Sequence, residues 1–434
     1  MSHRVRRKRE ERRRKHADRR GWGIRHSVIT GAGLTAGAVV GLTSPAFGAD
    51  YTVNNTYDPG DGSCTPGGCT LREAVTYANA HPGPDNIQFQ SGLSGTITLG
   101  IYGELPITGP TYIYGPGPDV LTVSGNHTSR IFNVDPTTAG NVVFIYGLSM
   151  VNGTVTGNGG AIRDQDAVLK IVDSVLSGNT ATSGSGGAIY EYGGSNSGYD
   201  TRVQFSTLNG NNATANGGAI DARYSFGTIK SSTLTGNAAT FGGGAREDRF
   251  SKVYDSTIAG NTATTLGGGV YAYHNLYAYN SISANNTAAG FPDVHATHVY
   301  GDFNLIENPG SSPLGGSHNI TAQDPQLGPL AANGGDSMTM KPAPTSPAVD
   351  RGHKDLFAFD QRGLARPFDN SAIANASAGD GTDIGSVELQ AGEFPPPASG
   401  GAAPQQVPSQ SKKCKKKHKR SASAAKKKCK KKKK

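Results

Sequence analysis

Apolar residues in the middle of the chain return on a beat of about two dozen positions. Ile171, Val203, Ile229, Val253 and Tyr277 form one column, and Leu176, Leu208, Leu234, Ile258 and Ile282 form a second. The chain writes one phrase around them: STLNGNNATANGGAI over 206–220, STLTGNAATFGGGA over 232–245 and STIAGNTATTLGGGV over 256–270. Between the glycines and asparagines the runs are only 4–6 residues, drawn from Val, Ile, Tyr and Thr. Such runs are too short and too β-branched for helices, so they predict strands.

The polar positions keep the same time. Asn179, Asn211, Asn237, Asn261 and Asn285 are separated by steps of 32, 26, 24 and 24, and the pairs Gly186-Gly187, Gly217-Gly218, Gly243-Gly244 and Gly267-Gly268 follow them. A repeat of this length means stacked supersecondary units. Short strands joined by Gly/Asn turns then stack in parallel, about 4.8 Å apart, and each backbone donor meets an acceptor in the next coil. About eight to ten coils fit the repeat region at this period. The recurrent Asn reads as a turn residue bonded to its equivalents above and below, because it tolerates left-handed backbone. The Gly pair serves turns where a Cβ would clash. Both roles are architectural. The 32-residue step contains EYGGSNSGYD over 191–200, an insertion expected to bulge as a loop on one face.

These phrases resemble the right-handed parallel β-helix proteins of the pectate-lyase-like superfamily, and especially the repeats of polymorphic outer-membrane proteins. CTLREAVTYANAHPGPDNIQF over 69–89 resembles the N-terminal domain named for a Cys-Ser-Leu-Arg-Glu-Ala motif, with Thr70 in place of the serine. Its residues read as a cap. Thr70 and Glu73 make a capping box, and Leu71, Ala74, Val75 and Ala78 share one helical face that would plug the open end of the core. Asn304-Leu305, DPQLGPLAANGG over 324–335, SPAVDRG over 346–352, DQRGLARP over 360–367 and DIGSVE over 383–388 resemble the choice-of-anchor Q domain. The stretch MTMKPAP over 338–344 departs from that pattern. The resemblances imply an all-β, right-handed parallel β-helix at a bacterial cell surface, with a short N-terminal capping helix. Crossover preference also favours the right hand.

Charge divides the chain further. The formal net charge of +9 conceals two basic ends. Residues 1–27 hold 12 Lys/Arg and 3 Asp/Glu, and residues 412–434 hold 15 Lys/Arg and no acid, which leaves 15 basic against 30 acidic residues between them. An acidic body excludes a nucleic-acid protein in the ordinary sense. The basic start followed by a small, apolar stretch ending in Ala46-Phe47-Gly48 reads as a secretory signal. The organisation expected is a signal over 1–48, a cap over 49–95, β-helix repeats over 96–302, a choice-of-anchor-like region over 303–390, a Pro/Gly-rich linker over 391–411 and a disordered Lys-rich tail over 412–434. The tail suits an anionic cell wall or membrane surface as partner. An oxidising compartment favours a bond between Cys64 and Cys69, while the state of Cys414 and Cys429 is open.

Candidate chemistry is sparse. His295 and His298 lack companion ligands, so no metal site is expected, and no nucleophile elbow or phosphate loop occurs. In DPGDGSC over 58–64 the reading is an Asx-turn, with calcium as the alternative. Aligning the strands after each Gly pair gives a column Arg163, Tyr190, Asp221, Glu247, Tyr271 and another Gln165, Tyr192, Arg223, Arg249, Tyr273. Residues two apart on a strand share a face. Asp221, Glu247, Arg223 and Arg249 therefore form the candidate catalytic cluster, and Tyr190, Tyr192, Tyr271 and Tyr273 the candidate sugar-stacking residues. A surface ion-pair ladder is the favoured reading of the charged cluster. Two carboxylates about 5 Å apart could also hydrolyse a glycoside. The superfamily resemblance implies a lyase alternative, with Ca²⁺ on carboxylates and an arginine base; otherwise no cofactor is expected. The function expected is adhesion or binding of extracellular polysaccharide, with a lyase or hydrolase as the alternative.

Overall fold

The computed structural model of the chain describes residues 48–193, 200–354 and 358–395. The signal reading up to residue 47, the inserted residues 194–199, the linker and tail from 396 onward, and Cys414 and Cys429 lie outside them. The fold is that of the unit Met1–Phe394.

The short strands stack into a parallel β-solenoid of about eight turns. Each coil visits up to four sheets in order. Among the described residues, sheet I has ten strands, from Asp50–Val53 to His298–Tyr300. Sheet II also has ten, from Gly95–Thr98 to Ile320–Thr321. Sheet III has five, from Thr154–Val155 to Thr262–Leu266, and sheet IV has eight, from Leu105–Ile107 to Val294–His295. The expected columns are spatial. Leu176, Leu208, Leu234 and Ile258 pair in succession in sheet II, and Ile171, Val203, Ile229 and Val253 pair in sheet I. All eight are buried in one core.

The last full coil corrects the alignment by one residue. Val253 pairs with Ala278 and Ile258 with Ser283, so Tyr277 and Ile282 leave the two interior columns. The extra residue enters in sheet III: Ala239 pairs with Ala263, but Phe241 pairs with Leu266. Tyr277 then lies opposite Lys252 on the outer face, and Ile282 packs with Leu305, Ala348 and Ile384 in a second cluster.

The asparagines form a directed chain at the corner between sheets II and III. Asn179 Nδ2 donates to Asn211 Oδ1 at 2.9 Å, Asn211 to Asn237 at 2.9 Å, Asn237 to Asn261 at 2.9 Å, and Asn261 to Asn286 at 3.0 Å. The acceptor oxygen of Asn211, Asn237, Asn261 and Asn286 also takes the backbone N–H of the preceding Asn. The fifth rung is Asn286, not Asn285. Asn285 (φ 56°) occupies the left-handed position filled by Gly178, Gly210, Gly236 and Gly260 in the other coils. At Gly218 a Cβ would lie 2.1 Å from the carbonyl oxygen of Gly243, so backbone of the next coil fills the space a side chain would need.

The N-terminal end of the core is closed by a helix. Helix α1 (Leu71–Ala80) buries Leu71, Ala74, Val75 and Ala78 and packs on Asp50–Val53, Asp85–Phe89 and Leu105–Ile107. Thr70 and Glu73 form the capping box, and Glu73 Oε1 also accepts from Gly62 N at 2.7 Å. Cys64 and Cys69 are disulfide-bonded just before the helix. Asp61 accepts from Ser63 N and Oγ as an Asx-turn, and Asp58 pairs with Arg72.

The C-terminal segment turns back over the outer face of sheet II. Gln361 Nε2 donates to Thr207 Oγ1 (2.9 Å), Gln361 Oε1 accepts from Thr233 (2.6 Å), and Ser386 N donates to Thr257 Oγ1 (3.0 Å). Buried Arg366 ties Glu388 (3.0 Å) to Asp255 (3.2 Å), and Arg362 holds Asp360 and Glu393. The motif residues of 360–367 and 383–388 are thus the clasp itself. Burial pushes Asp383 up to about 7, Glu388 up to about 8 and Asp350 up to about 6; the charge of Asp350 adds to the first, that of Asp383 to the second and that of Asp369 to the third, while Arg366 opposes the first two.

Two predictions follow from the ladder and the clasp. Asn286→Ala leaves buried ladder groups without partners and should cost about 1–3 kcal/mol, whereas Asn285→Gly should stay within about 0.5 kcal/mol in urea unfolding. A carboxyl with a raised native pKa binds its proton more tightly when folded. The clasp's contribution is therefore complete below the unfolded value of about 4 and declines as pH rises toward 8. Urea midpoints should fall between pH 5 and 8, and Glu388→Gln should flatten that slope.

Candidate functional site

Sheet IV carries the charged columns on its outer face, with a register that differs from the sequence alignment. Arg163 pairs with Tyr190, Tyr190 with Asp221, Asp221 with Arg246, Arg246 with Tyr271, and Tyr271 with His295. Glu247 pairs instead with Ala222 and Ala272 and is buried inside the solenoid. Arg249 falls beyond the strand Ala245–Glu247, in the turn. The cause is the third glycine of Gly242-Gly243-Gly244. The left-handed glycines equivalent to Gly186 and Gly217 are Gly242 and Gly267, not Gly243, so everything after the triplet shifts by one.

The resulting grid is Asp221, Arg223, Arg246 and Asp248. Asp221 is fully buried, and each of its oxygens is held by a guanidinium: Oδ2 by Arg223 Nε at 3.0 Å and Oδ1 by Arg246 Nη1 at 3.2 Å. Arg246 also pairs with Asp248. Burial raises the Asp221 pKa, while Arg246 and Arg223 pull against it. Burial works against the Arg223 charge, but Asp221 holds its pKa up. This carboxylate has no lone oxygen to offer a substrate, and the second candidate carboxylate, Glu247, lies on the other side of the sheet. Of the four tyrosines, Tyr190 is buried beneath Arg223 (5.9 Å from its ring centre), and Tyr271 stacks on His295 at 4.7 Å. Tyr192 and Tyr273 are exposed, at 41% and 57%.

Sheet I shows what the alignment missed. Two columns dominate the middle of its outer face, flanked by a third that includes Asp200, Phe226, Phe250 and Asn275. One runs Tyr112, Phe144, Lys170, Arg202, Thr228, Lys252, Tyr277, Tyr300, and the other runs Tyr114, Tyr146, Val172, Gln204, Lys230, Tyr254, Tyr279. These fifteen positions hold eight aromatic residues, four cations and no acid. Lys230 is buried near Asp255 and over the Tyr254 ring. Lys170, Arg202 and Lys252 reach the surface in one column. Tyrosines pair at one end of it, Tyr277 with Tyr300 at 5.3 Å and Tyr254 with Tyr279 at 5.8 Å. Eight strands at sheet spacing make a strip about 34 Å long. The signal was available: Lys170, Arg202, Thr228 and Lys252 each stand one place before an interior residue, and alternation turns them outward.

No three His, Cys, Asp or Glu side chains converge as metal ligands among the described residues. No family model, curated protein or solved structure matches the chain. The resemblances to named families therefore rest on the quoted motifs, and the fold is that of a parallel β-solenoid.

If Asp221 is a structural pivot of the grid, Asp221→Ala strands two guanidiniums and costs about 1–3 kcal/mol, whereas Arg249→Ala stays within about 0.5 kcal/mol. Urea unfolding of both variants measures this.

Proposed function

We propose that the protein is a secreted, cell-surface-associated module that binds an extended anionic polysaccharide along the outer face of sheet I. One observation carries the reading. In a body with 30 acidic and 15 basic residues, the fifteen central outer positions of this sheet hold four cations and eight aromatic residues, and the acids of the face, Asp50 and Asp200, stand outside them. Carboxylate or sulfate groups on a polymer would meet Lys170, Arg202 and Lys252 by charge-assisted hydrogen bonds, and sugar faces would rest on tyrosine rings. A ligand that repeats along its length suits a surface that repeats along its length. The C-terminal clasp occupies sheet II, which leaves sheet I uncovered by it among the described residues.

The reading includes export through the N-terminal signal, an anchor-type role for the C-terminal region and contact of the Lys-rich tail with an anionic wall or membrane. Binding is favoured over hydrolysis or lysis because Asp221 is tied to two arginines and Glu247 is interior.

Affinity electrophoresis of the full chain in gels containing polygalacturonate, a sulfated glycan or a neutral glucan tests it. Retardation by the anionic polymers, weakened by salt and at least roughly tenfold weaker after Lys170→Ala, Arg202→Ala and Lys252→Ala together, is the expected result. Equal retardation by the neutral glucan, or a triple variant that binds unchanged, contradicts it. Unsaturated sugar released on incubation would establish the lyase alternative instead.

A further inference from the structure

The first strand of sheet I is set in place by the residue just before it. Ala49 O accepts from Asn86 N at 2.8 Å, and Ala49 N donates to Asp85 Oδ1 at 2.6 Å. From there Asp50 to Val53 pair in parallel with Asn86 to Phe89. Asp85 is 1% exposed, and its other oxygen, Oδ2, is buried without a hydrogen-bond partner. Among the described residues its one ionisable basic neighbour is His81, at the end of helix α1. His81 Nδ1 lies 3.0 Å from Oδ1 but is not aimed as a donor. A buried carboxylate with one well-aimed donor and an open oxygen is costly.

The sequence offers the missing cation. Ala46 and Gly48 are small residues three places and one place before the Gly48–Ala49 bond, the pattern that a signal peptidase reads. Gly48 is exposed, and a Cβ there would lie 1.6 Å from Pro84 O, so the chain reaches the strand through a gap that admits only glycine. Hydrolysis of this bond consumes one water and leaves a carboxylate on Gly48 and an ammonium on Ala49. The Ala49 nitrogen then carries three protons and a positive charge, where the peptide carried one proton and no charge.

We infer that export cuts the chain between Gly48 and Ala49, and that the new α-ammonium of Ala49 becomes the counter-ion of Asp85. The inference rests on the export reading and adds to it the bond that is cut and the role of the end it creates. The ammonium can keep its contact with Oδ1 and has protons left for Oδ2. It ties the first strand to Asp85–Phe89 beside helix α1, three elements packed on one another at this end of the core. An uncut chain offers Asp85 only a neutral amide, so the N-terminal cap is complete after processing and not before.

Other ionisable groups at this corner are Tyr77 from helix α1, with His81, and Tyr51 and Asp50 from the first strand. Thr111, opposite Asp85 in the next strand, adds none. The field of Asp85 is already felt there: burial first, then Asp85 and Tyr77, raise the Tyr51 phenol. An ammonium beside a buried carboxylate has its pKa raised above the unfolded value of about 8. Its contribution is full below that value and is lost as pH rises through the folded one.

The full chain, exported from a secreting bacterial host, tests both halves of the inference. Intact mass and N-terminal sequencing identify the first residue, and ¹³C reductive methylation followed by NMR reads the α-amine titration. The first residue should be Ala49. Its α-amine should hold a proton about tenfold more tightly in the folded chain than in urea, and Asp85→Asn should remove that difference. The lead of the parent over Asp85→Asn in urea midpoint should shrink between about pH 7 and about pH 10. The parent's own titration in urea is the second reference, so a variant that fails to fold does not blunt the test. Export with a first residue other than Ala49 overturns the cut and leaves the export reading standing. A chain that keeps its N-terminus overturns both. An Ala49 start whose α-amine titrates alike in the folded chain and in urea overturns the counter-ion.

Discussion

The register of this solenoid is held by a chain of side-chain amides pointing one way. Each Asn of the ladder spends its amide protons on the next Asn and on a backbone carbonyl of the preceding coil, such as Leu208 O for Asn237 and Leu234 O for Asn261. Its oxygen receives the amide and the backbone N–H of the Asn before it. Aligned bonds in a buried corner polarise one another, and a break leaves donors with nowhere to go. The chain ends on an acceptor that needs no further partner: Asn286 Nδ2 donates to Asp293 Oδ1 at 2.8 Å. Burial pushes Asp293 up to about 6, while its bonds from Asn286 and Asn308 draw it back. A slip of one residue would turn every interior side chain outward, so a ladder that tolerates no slip also fixes the core.

What the ladder cannot provide is an ending. A stack of parallel strands exposes apolar interior and unpaired backbone at both termini. Helix α1 meets one end with an apolar face oriented by its capping box. The C-terminal segment runs back along sheet II, where Gln361 and Ser386 bond to the threonine row Thr207, Thr233 and Thr257. Arg366 fixes this strap by joining Glu388 to Asp255 in the solenoid wall. One outer face is thereby given to stability. The cationic and aromatic columns of sheet I and the ion-pair grid of sheet IV are left for other uses.

Much of this could be read from residues alone, and the failures have definite causes. Leu208, Leu234 and Ile258 align because identical phrases surround them, and the capping helix is legible because Thr70 and Glu73 stand at the required spacing. The sequence misplaces Glu247 and Arg249 because a run of three glycines offers two ways to choose a pair, and only backbone conformation distinguishes Gly242 from Gly243. Asn285 reads as a rung in the sequence because Asn can fill either the ladder or the left-handed turn, and the coil before it is one residue longer. The basic column of sheet I is plain in the sequence once outward positions are read alongside inward ones.

The central claim is that coils stack in the register the ladder dictates, including the one-residue shift in the last full coil. Disulfide trapping measures this directly in a chain with Cys414 and Cys429 replaced by serine. Lys252→Cys with Tyr277→Cys places two thiols opposite each other on the outer face, within the reach of a disulfide. Lys252→Cys with Leu276→Cys keeps the unshifted repeat of the preceding coils but faces opposite sides of the sheet. The first pair should oxidise fully in the folded protein and the second should not. Trapping of the second pair in preference to the first would contradict the register, and with it the ladder and the outer columns.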